Sequence, residues 1–309
     1  SAMTLLVPNG HAGEAAAAAW SSGALDTGTK LLVVHAFGAI GPNEDGPLRT
    51  GHFAFGIGTI VQEPLTGERA LDIEYKQIYA HNPNGIIAGS HDYASYAGSF
   101  ARGWMYSRPL ADVALYLPAL NRTYSLGGTI SLPAPIDALG YELEAMTARY
   151  RTGLGTGAAV VTPANSCVQD SSKALYFALA KLDEKTSSAE GAKAFLASHP
   201  DDAEVKDYKT LLALADEVEH YLSPLGFTRA DWKDQAGKLA ATDVKACAGG
   251  LFGAVFCGLG SWKTIVPRRA SDFYTEVLLR NGAGGIAVRT NDIGAMPGIV
   301  PLSPTTLLR

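Results

Sequence analysis

The chain has 309 residues, of which 47% are hydrophobic and 18% charged, and its formal net charge is −5. That balance excludes a disordered polyelectrolyte and supplies ample material for a buried core. Apart from the pair Arg268 and Arg269 no basic cluster stands out, and an acidic chain gives phosphate backbones little to bind, so nucleic acid is not an expected partner.

Cys167, Cys247 and Cys257 are the three cysteines, an odd and small set that does not make a disulfide framework. A bridge between Cys247 and Cys257 would leave Cys167 as the free thiol; the alternative is three cysteines acting as small apolar residues. Ser1-Ala2-Met3 reads as the remainder of a cleaved tag and is set apart from the fold. Residues 1–28 form an N-terminal segment in this reading, and 29–309 a single domain. No basic stretch leading into an apolar run opens the chain, so no secretion signal is visible, and a cytoplasmic or secreted location stays open.

In chain order, residues 11–20 predict a short alanine-rich helix. Lys30–Ala36 is a short, β-branched apolar run, the pattern of a buried strand, and GAIGPNEDGP is a loop. His52–Val61 alternates, with Phe53, Phe55, Ile57, Thr59 and Val61 on one face and His52, Ala54, Gly56, Gly58 and Ile60 on the other. The small residues of the second face are expected to leave room beside the imidazole. EPLTGER predicts a turn and Leu71–Tyr79 a returning antiparallel strand.

Residues 86–107 look irregular or mixed, and Asp112–Leu117 reads as a strand followed by a loop to about Pro135. Ile136–Arg151 has helical spacing, as does Ser171–Leu182. From about 185 to 245 the text is polar and helical, which predicts a helical insertion. The uncharged stretch Ala246–Trp262 is rich in glycine and shorter than the ~20 residues of a membrane span, so it predicts a buried segment and no span. SWKTIVP and GGIAVRTN read as strands around a helix at SDFYTEVLLRNG. The fold class is therefore α+β: an antiparallel sheet packed by helices, with a helical insertion.

The chemistry concentrates at two places. Cys167 stands at or just before a predicted helix start, where free N–H groups and the helix dipole lower a thiol's pKa and can hold an oxyanion. Its bland alternative is a buried apolar residue in a turn made by Asn165 and Ser166. His52 opens a strand and can serve as the base of a nucleophile–base–orienter set, or simply bond to backbone.

Gly51-His52-Phe53-Ala54-Phe55-Gly56 resembles the Gly-His strand opening of papain-like hydrolases of the NlpC type, and Asn165-Ser166-Cys167 entering a helix resembles their nucleophile. The cysteine here follows the histidine, an order similar to the circularly permuted branch that includes lecithin–retinol acyltransferase-like proteins. The resemblance covers His52–Tyr79 and Thr162–Leu182. The Asn-Cys-Glu-His signature of the acyltransferases is absent, since Val168-Gln169 follow the cysteine. The cysteine motif and Pro267–Tyr274 also resemble soluble regions beside intramembrane CAAX-type proteases in long bacterial chains.

This resemblance implies a permuted papain-like fold and a cysteine peptidase or amidase without cofactor, acting on a peptide or amide through Cys167 and His52. It also implies a polar residue on the following strand that orients the imidazole. Gln77 is the first choice, with Tyr79 and His81 behind it, and a solvated strand position is its alternative. Asp170 either binds a substrate amine or complements the helix dipole, and Asn165 either contacts substrate or makes the turn. The rival functions are hydrolysis or transfer of lipid acyl groups, and a non-catalytic binding module.

Three weaker patterns lead nowhere in the sequence. Gly153–Ala158 imitates a dinucleotide fingerprint but follows a helix rather than a strand. His81, His91 and Asp92 lack zinc-type spacing, so no metal is expected. Tyr93, Tyr96, Phe100 and Trp104 line either a groove or, as the stripe suggests, a core.

Overall fold

The computed structural model describes residues 2–6, 26–37, 52–82, 85–97, 110–152, 166–224, 260, 262–264 and 266–290. Among these, seven strands form one antiparallel sheet: β1 (Ala2–Leu6), β2 (Lys30–Phe37), β3 (His52–Gln62), β4 (Arg69–Asn82), β5 (Gly85–Asp92), β6 (Leu110–Tyr116) and β7 (Gly284–Thr290). Their order across the sheet is β1-β7-β6-β2-β3-β4-β5. The helices are α1 (Tyr93–Ala97), α2 (Pro118–Asn121), α3 (Pro135–Thr152), α4 (Cys167–Ser188), α5 (Glu190–Ser198), α6 (Ala203–Leu222) and α7 (Pro267–Arg280), with a 3₁₀ turn at Trp262–Thr264.

The pleat sorts each strand between two apolar layers. Leu32 and Val34, Phe53 and Phe55, Ile78 and Leu115 face a core shared with helices α3, α4, α6 and α7. Their alternates Leu31 and Val33, Leu71, Ile73 and Tyr75, Ala114, Ile286 and Val288 build a second layer, joined by Tyr93 and Tyr96 of α1. Lys76, on the helix-covered side, is buried but reaches Glu144 of α3 at 2.7 Å and Ser90 of β5 at 3.1 Å, which ties the hairpin to the helix layer.

The α+β reading and most of the element order hold for the described residues. Four expectations are corrected. Ala2–Leu6, set apart as part of an N-terminal segment, forms an edge strand paired with β7, because Gly284–Thr290 leaves one side of its backbone to be satisfied. Of residues 86–107, read as irregular or mixed, the described part to residue 97 belongs to β5 and α1: pairing with β4 supplies the order, and Asp92 caps α1 by accepting bonds from Ser95 N at 2.7 Å and Ser95 Oγ at 2.8 Å. The strand expected at SWKTIVP is instead the 3₁₀ turn followed by α7, whose first residue, Pro267, presets a helical φ.

The space expected beside His52 is filled. A Cβ on Gly56 would lie 3.0 Å from the Glu74 carbonyl and 3.5 Å from the Tyr75 ring, and one on Gly58 would lie 2.8 Å from Leu71 Cδ1. The glycines serve close cross-strand packing, with Gly56 directly opposite Tyr75.

The predicted helix at 11–20, the loop after β2, Asn165, Phe100, Trp104, Gly153–Ala158, and Cys247 and Cys257 lie outside the described residues. The helical insertion is described as far as residue 224, where the latter part of α4 with α5 and α6 accounts for it. No helix among the described residues is long and apolar enough to cross a membrane.

Because the Glu74 carbonyl and the Val33 side chain close in on Gly56, at 3.0 Å and 3.2 Å from where a Cβ would stand, Gly56→Val should lower stability by about 1–3 kcal/mol, the usual cost of overpacking. Urea melts would show it as a lower midpoint with unchanged slope; a wild-type midpoint would mean that the strands separate freely at this point.

Candidate functional site

Ser166 has extended backbone angles and its Oγ accepts the Gln169 N–H at 3.2 Å, so it caps α4 and makes Cys167 the first helical residue. The cap is itself held from the far end of the chain. Ser166 Oγ donates to the Thr264 carbonyl at 3.4 Å, and Gln169 Nε2 donates to Thr264 Oγ1 at 3.2 Å. The following polar residues Gln169, Asp170, Ser171, Ser172 and Lys173 are buried as well.

The β3–β4 ladder runs from Phe55 opposite Lys76 to Gln62 opposite Arg69, and β4 slips register against β5 between Gln77 and Ala80. The head of α4 comes to the end of β3 beyond that ladder. There the backbone N–H groups of Phe53, Val168 and Cys167 itself act on the Cys167 sulfur, each favouring its thiolate. The folded chain thus seats the cysteine against the residue that immediately follows His52.

Electrostatically the site departs from the expectation of an acidic thiol. Burial pushes the Cys167 thiol up to about 11, and the nearby Asp170 carboxylate adds to the rise, against the pull of the three N–H groups. With only 9% of its surface exposed, desolvation outweighs the helix head. His52 is 2% exposed, and burial lowers its pKa to about 3, with the electrostatic influence of the neighbouring His35 as the second cause. At neutral pH the pair is therefore a thiol and an uncharged imidazole.

Gln77 is fully buried, which excludes the solvated alternative, and its amide hydrogen-bonds the Tyr96 hydroxyl. Tyr79 and His81 fall on β4, and their side chains lie outside the described residues. Asp170 is fully buried in the first turn of α4, so its carboxyl is not presented at the surface. Tyr93 and Tyr96 are core residues of the second layer. Asp92 caps α1, His91 is buried near the Tyr96 ring at 6.4 Å, and no group of three metal-ligating side chains occurs among the described residues.

Sequence reasoning missed three polar residues on the His52 face, His35, Asp112 and Tyr75, and it read their neighbour Tyr96 as groove lining or core. His35 of β2 lies directly opposite Asp112 of β6, and His35 Nδ1 meets Asp112 Oδ1. Tyr75 OH donates to Asp112 Oδ2 at 2.7 Å, and His35 Nε2 contacts Tyr96 OH at 2.8 Å. The His35 and His52 ring centres are 6.4 Å apart. The available signal was polarity: His35 shares a strand face with Leu31 and Val33, and Asp112 with Ala114, so each places a polar group on an apolar face.

The chain gives no match to a protein-family model, to a curated protein or to a solved structure.

Both buried groups make stability depend on pH, in opposite arms. His52 takes its proton near pH 6.5 when unfolded and at about 3 when folded, so its stabilisation is present above 6.5 and falls across that interval by about 1.4 kcal/mol per pH unit. Cys167 keeps its proton to about 11 when folded and to about 9 when unfolded, so its share is complete below 9 and is lost as pH rises. In urea melts across pH, His52→Gln should flatten the acid arm and Cys167→Ala the alkaline arm. Wild-type slopes in both variants would contradict this account.

Proposed function

We propose that this chain is a cysteine hydrolase with a permuted papain-like arrangement, cleaving an amide or peptide bond through Cys167 and His52. The observation that carries the reading is the seating of the Cys167 sulfur, at the first residue of α4, on the backbone N–H next to His52.

In this mechanism the sulfur attacks the substrate carbonyl carbon while its proton passes to a ring nitrogen of His52. The imidazole carries no resting proton in the neutral range, although the burial that holds it down to about 3 also makes it a weak base. A thiol held up to about 11 means that the proton moves during the attack, since little thiolate exists beforehand. The tetrahedral oxyanion collects on N–H groups at the head of α4. The carbon–nitrogen bond then breaks, His52 hands its proton to the departing amine, and the acyl group stays on sulfur as a thioester. Water, deprotonated by His52, opens the thioester, and the proton returns to sulfur. Gln77 acts here as the polar partner on the neighbouring strand, and Asn165 and Asp170 border the substrate. Cell-wall peptide, protein and lipid amide remain the substrate classes.

Burial of the sulfur favours a second reading, a scaffold that binds without catalysing. A panel of amide and ester substrates separates the two. The hydrolase reading expects turnover of an amide that Cys167→Ala reduces to background and His52→Ala slows by about 10²–10⁴-fold. Alkylation of Cys167 by iodoacetamide should accelerate with pH toward about 11. Turnover that survives both substitutions overturns the assignment; silence on every amide and ester favours the binding scaffold.

A further inference from the structure

The polar residues at the head of α4 are buried, and several have an evident task. Ser166 caps the helix and Gln169 is tied to Thr264. Ser172 lies on another side of the helix from Cys167 and faces Tyr274 of α7. Ser171 differs: it stands four residues after Cys167, is fully buried, and its hydroxyl has no hydrogen-bond partner among the described residues. We propose that Ser171 is a further catalytic residue of the cysteine site, whose hydroxyl turns to donate a hydrogen bond to the Cys167 sulfur as the thiol proton leaves. The proposal rests on the reading of Cys167 as nucleophile and His52 as its base.

The helix places the two side chains on one face. Residues four apart are neighbours there, with about 5–6 Å between their Cβ atoms. Cα–Cβ bonds tilt toward the start of a helix, so Ser171 inclines toward the turn that holds Cys167. A mid-helix serine commonly bonds the carbonyl one turn back. Here that bond is not made, and the hydroxyl is left to rotate. The face continues as Ala174 and Ala178, both buried, and α4 packs on β3 and β4. Full burial bars the hydroxyl from the substrate itself. The sulfur is then the group on its face that gains charge during the reaction.

That charge needs a donor. As the sulfur attacks, the S–H proton passes to His52, and the electron pair left on sulfur forms the bond to the carbonyl carbon. Until that bond is complete, negative charge lies in a buried site where Asp170 opposes it. The three backbone N–H groups leave the thiol as high as about 11. A hydroxyl donating to charged sulfur makes a charge-assisted bond, stronger than one between neutral groups. Ser171 keeps its own proton throughout, and its bond to sulfur weakens as the thioester forms. A hydroxyl shut away from water without a partner is destabilising in the resting protein, so the resting fold has no use for it.

The test is Ser171→Ala, which removes the hydroxyl and suits a helix. Alkylation of Cys167 by iodoacetamide, followed on its own peptide by mass spectrometry at one pH below the thiol midpoint, should slow by about tenfold. The smaller side chain adds room, which alone would speed the reagent, so a fall is not an effect of access. Urea melts should give a midpoint at or above that of the unmodified protein. An alkylation rate that is unchanged or faster overturns the proposal, whatever happens to stability. Should Ser171→Ala fail to fold, the isosteric pair Ser171→Thr and Ser171→Val decides: faster alkylation with the hydroxyl supports the proposal, and equal rates overturn it. On an amide that the protein turns over, Ser171→Ala should lower kcat and leave KM in place; a raised KM with kcat unchanged puts Ser171 on the substrate and overturns the proposal. Slower alkylation in a protein without amide turnover supports the bond to sulfur and sinks the hydrolase reading.

Discussion

A carboxyl group inside an apolar layer is costly unless its oxygens are taken up, and Asp112, 3% exposed, sits in such a layer. One oxygen meets His35 and the other accepts from Tyr75. Both partners come from strands that must be in register with β6 and with each other, so the alignment of three strands is written into one side chain. Gly56 lies directly opposite Tyr75 and lets the strands on either side, at the Glu74 carbonyl and Val33, approach closely. Removing the carboxylate would leave a histidine and a tyrosine buried without their acceptor, a more damaging loss than that of the pair as a whole.

The same burial governs the cysteine. A helix head is commonly taken as enough to make a thiol acidic, yet here the three surrounding N–H groups are outweighed by desolvation and by the neighbouring Asp170. Position at a helix start and acidity are therefore separable properties. What the fold supplies to Cys167 is placement beside the end of β3, and what it supplies to His52 is neutrality.

The sequence was legible where one element carries its own pattern. The alternation in His52–Val61, the turn at EPLTGER and the helical spacing of 136–151 all reappear within a residue or two at their described ends. Cys167 at a helix start followed from the Asn-Ser turn and the apolar spacing after it. The rest needed the sheet. β5 draws its order from pairing with β4, and the contact of His35 with Asp112 depends on a register that no local pattern encodes. Gln77 was chosen to orient an imidazole by its place on the strand; its observed contact is with Tyr96, a residue read as ordinary core. Polar residues embedded in apolar strands were the clue passed over, since an isolated histidine or aspartate in such a run has no partner visible in the text.

The tie between the α4 cap and Thr264 has a consequence for how the protein is made. During synthesis the histidine strand and the cysteine helix emerge long before the residue that braces the helix head. A growing chain thus holds the sulfur and imidazole for an extended interval without the brace. Bracing of the helix head becomes one of the last steps of folding, and a fragment that stops short of Thr264 contains Cys167 and His52 without that brace.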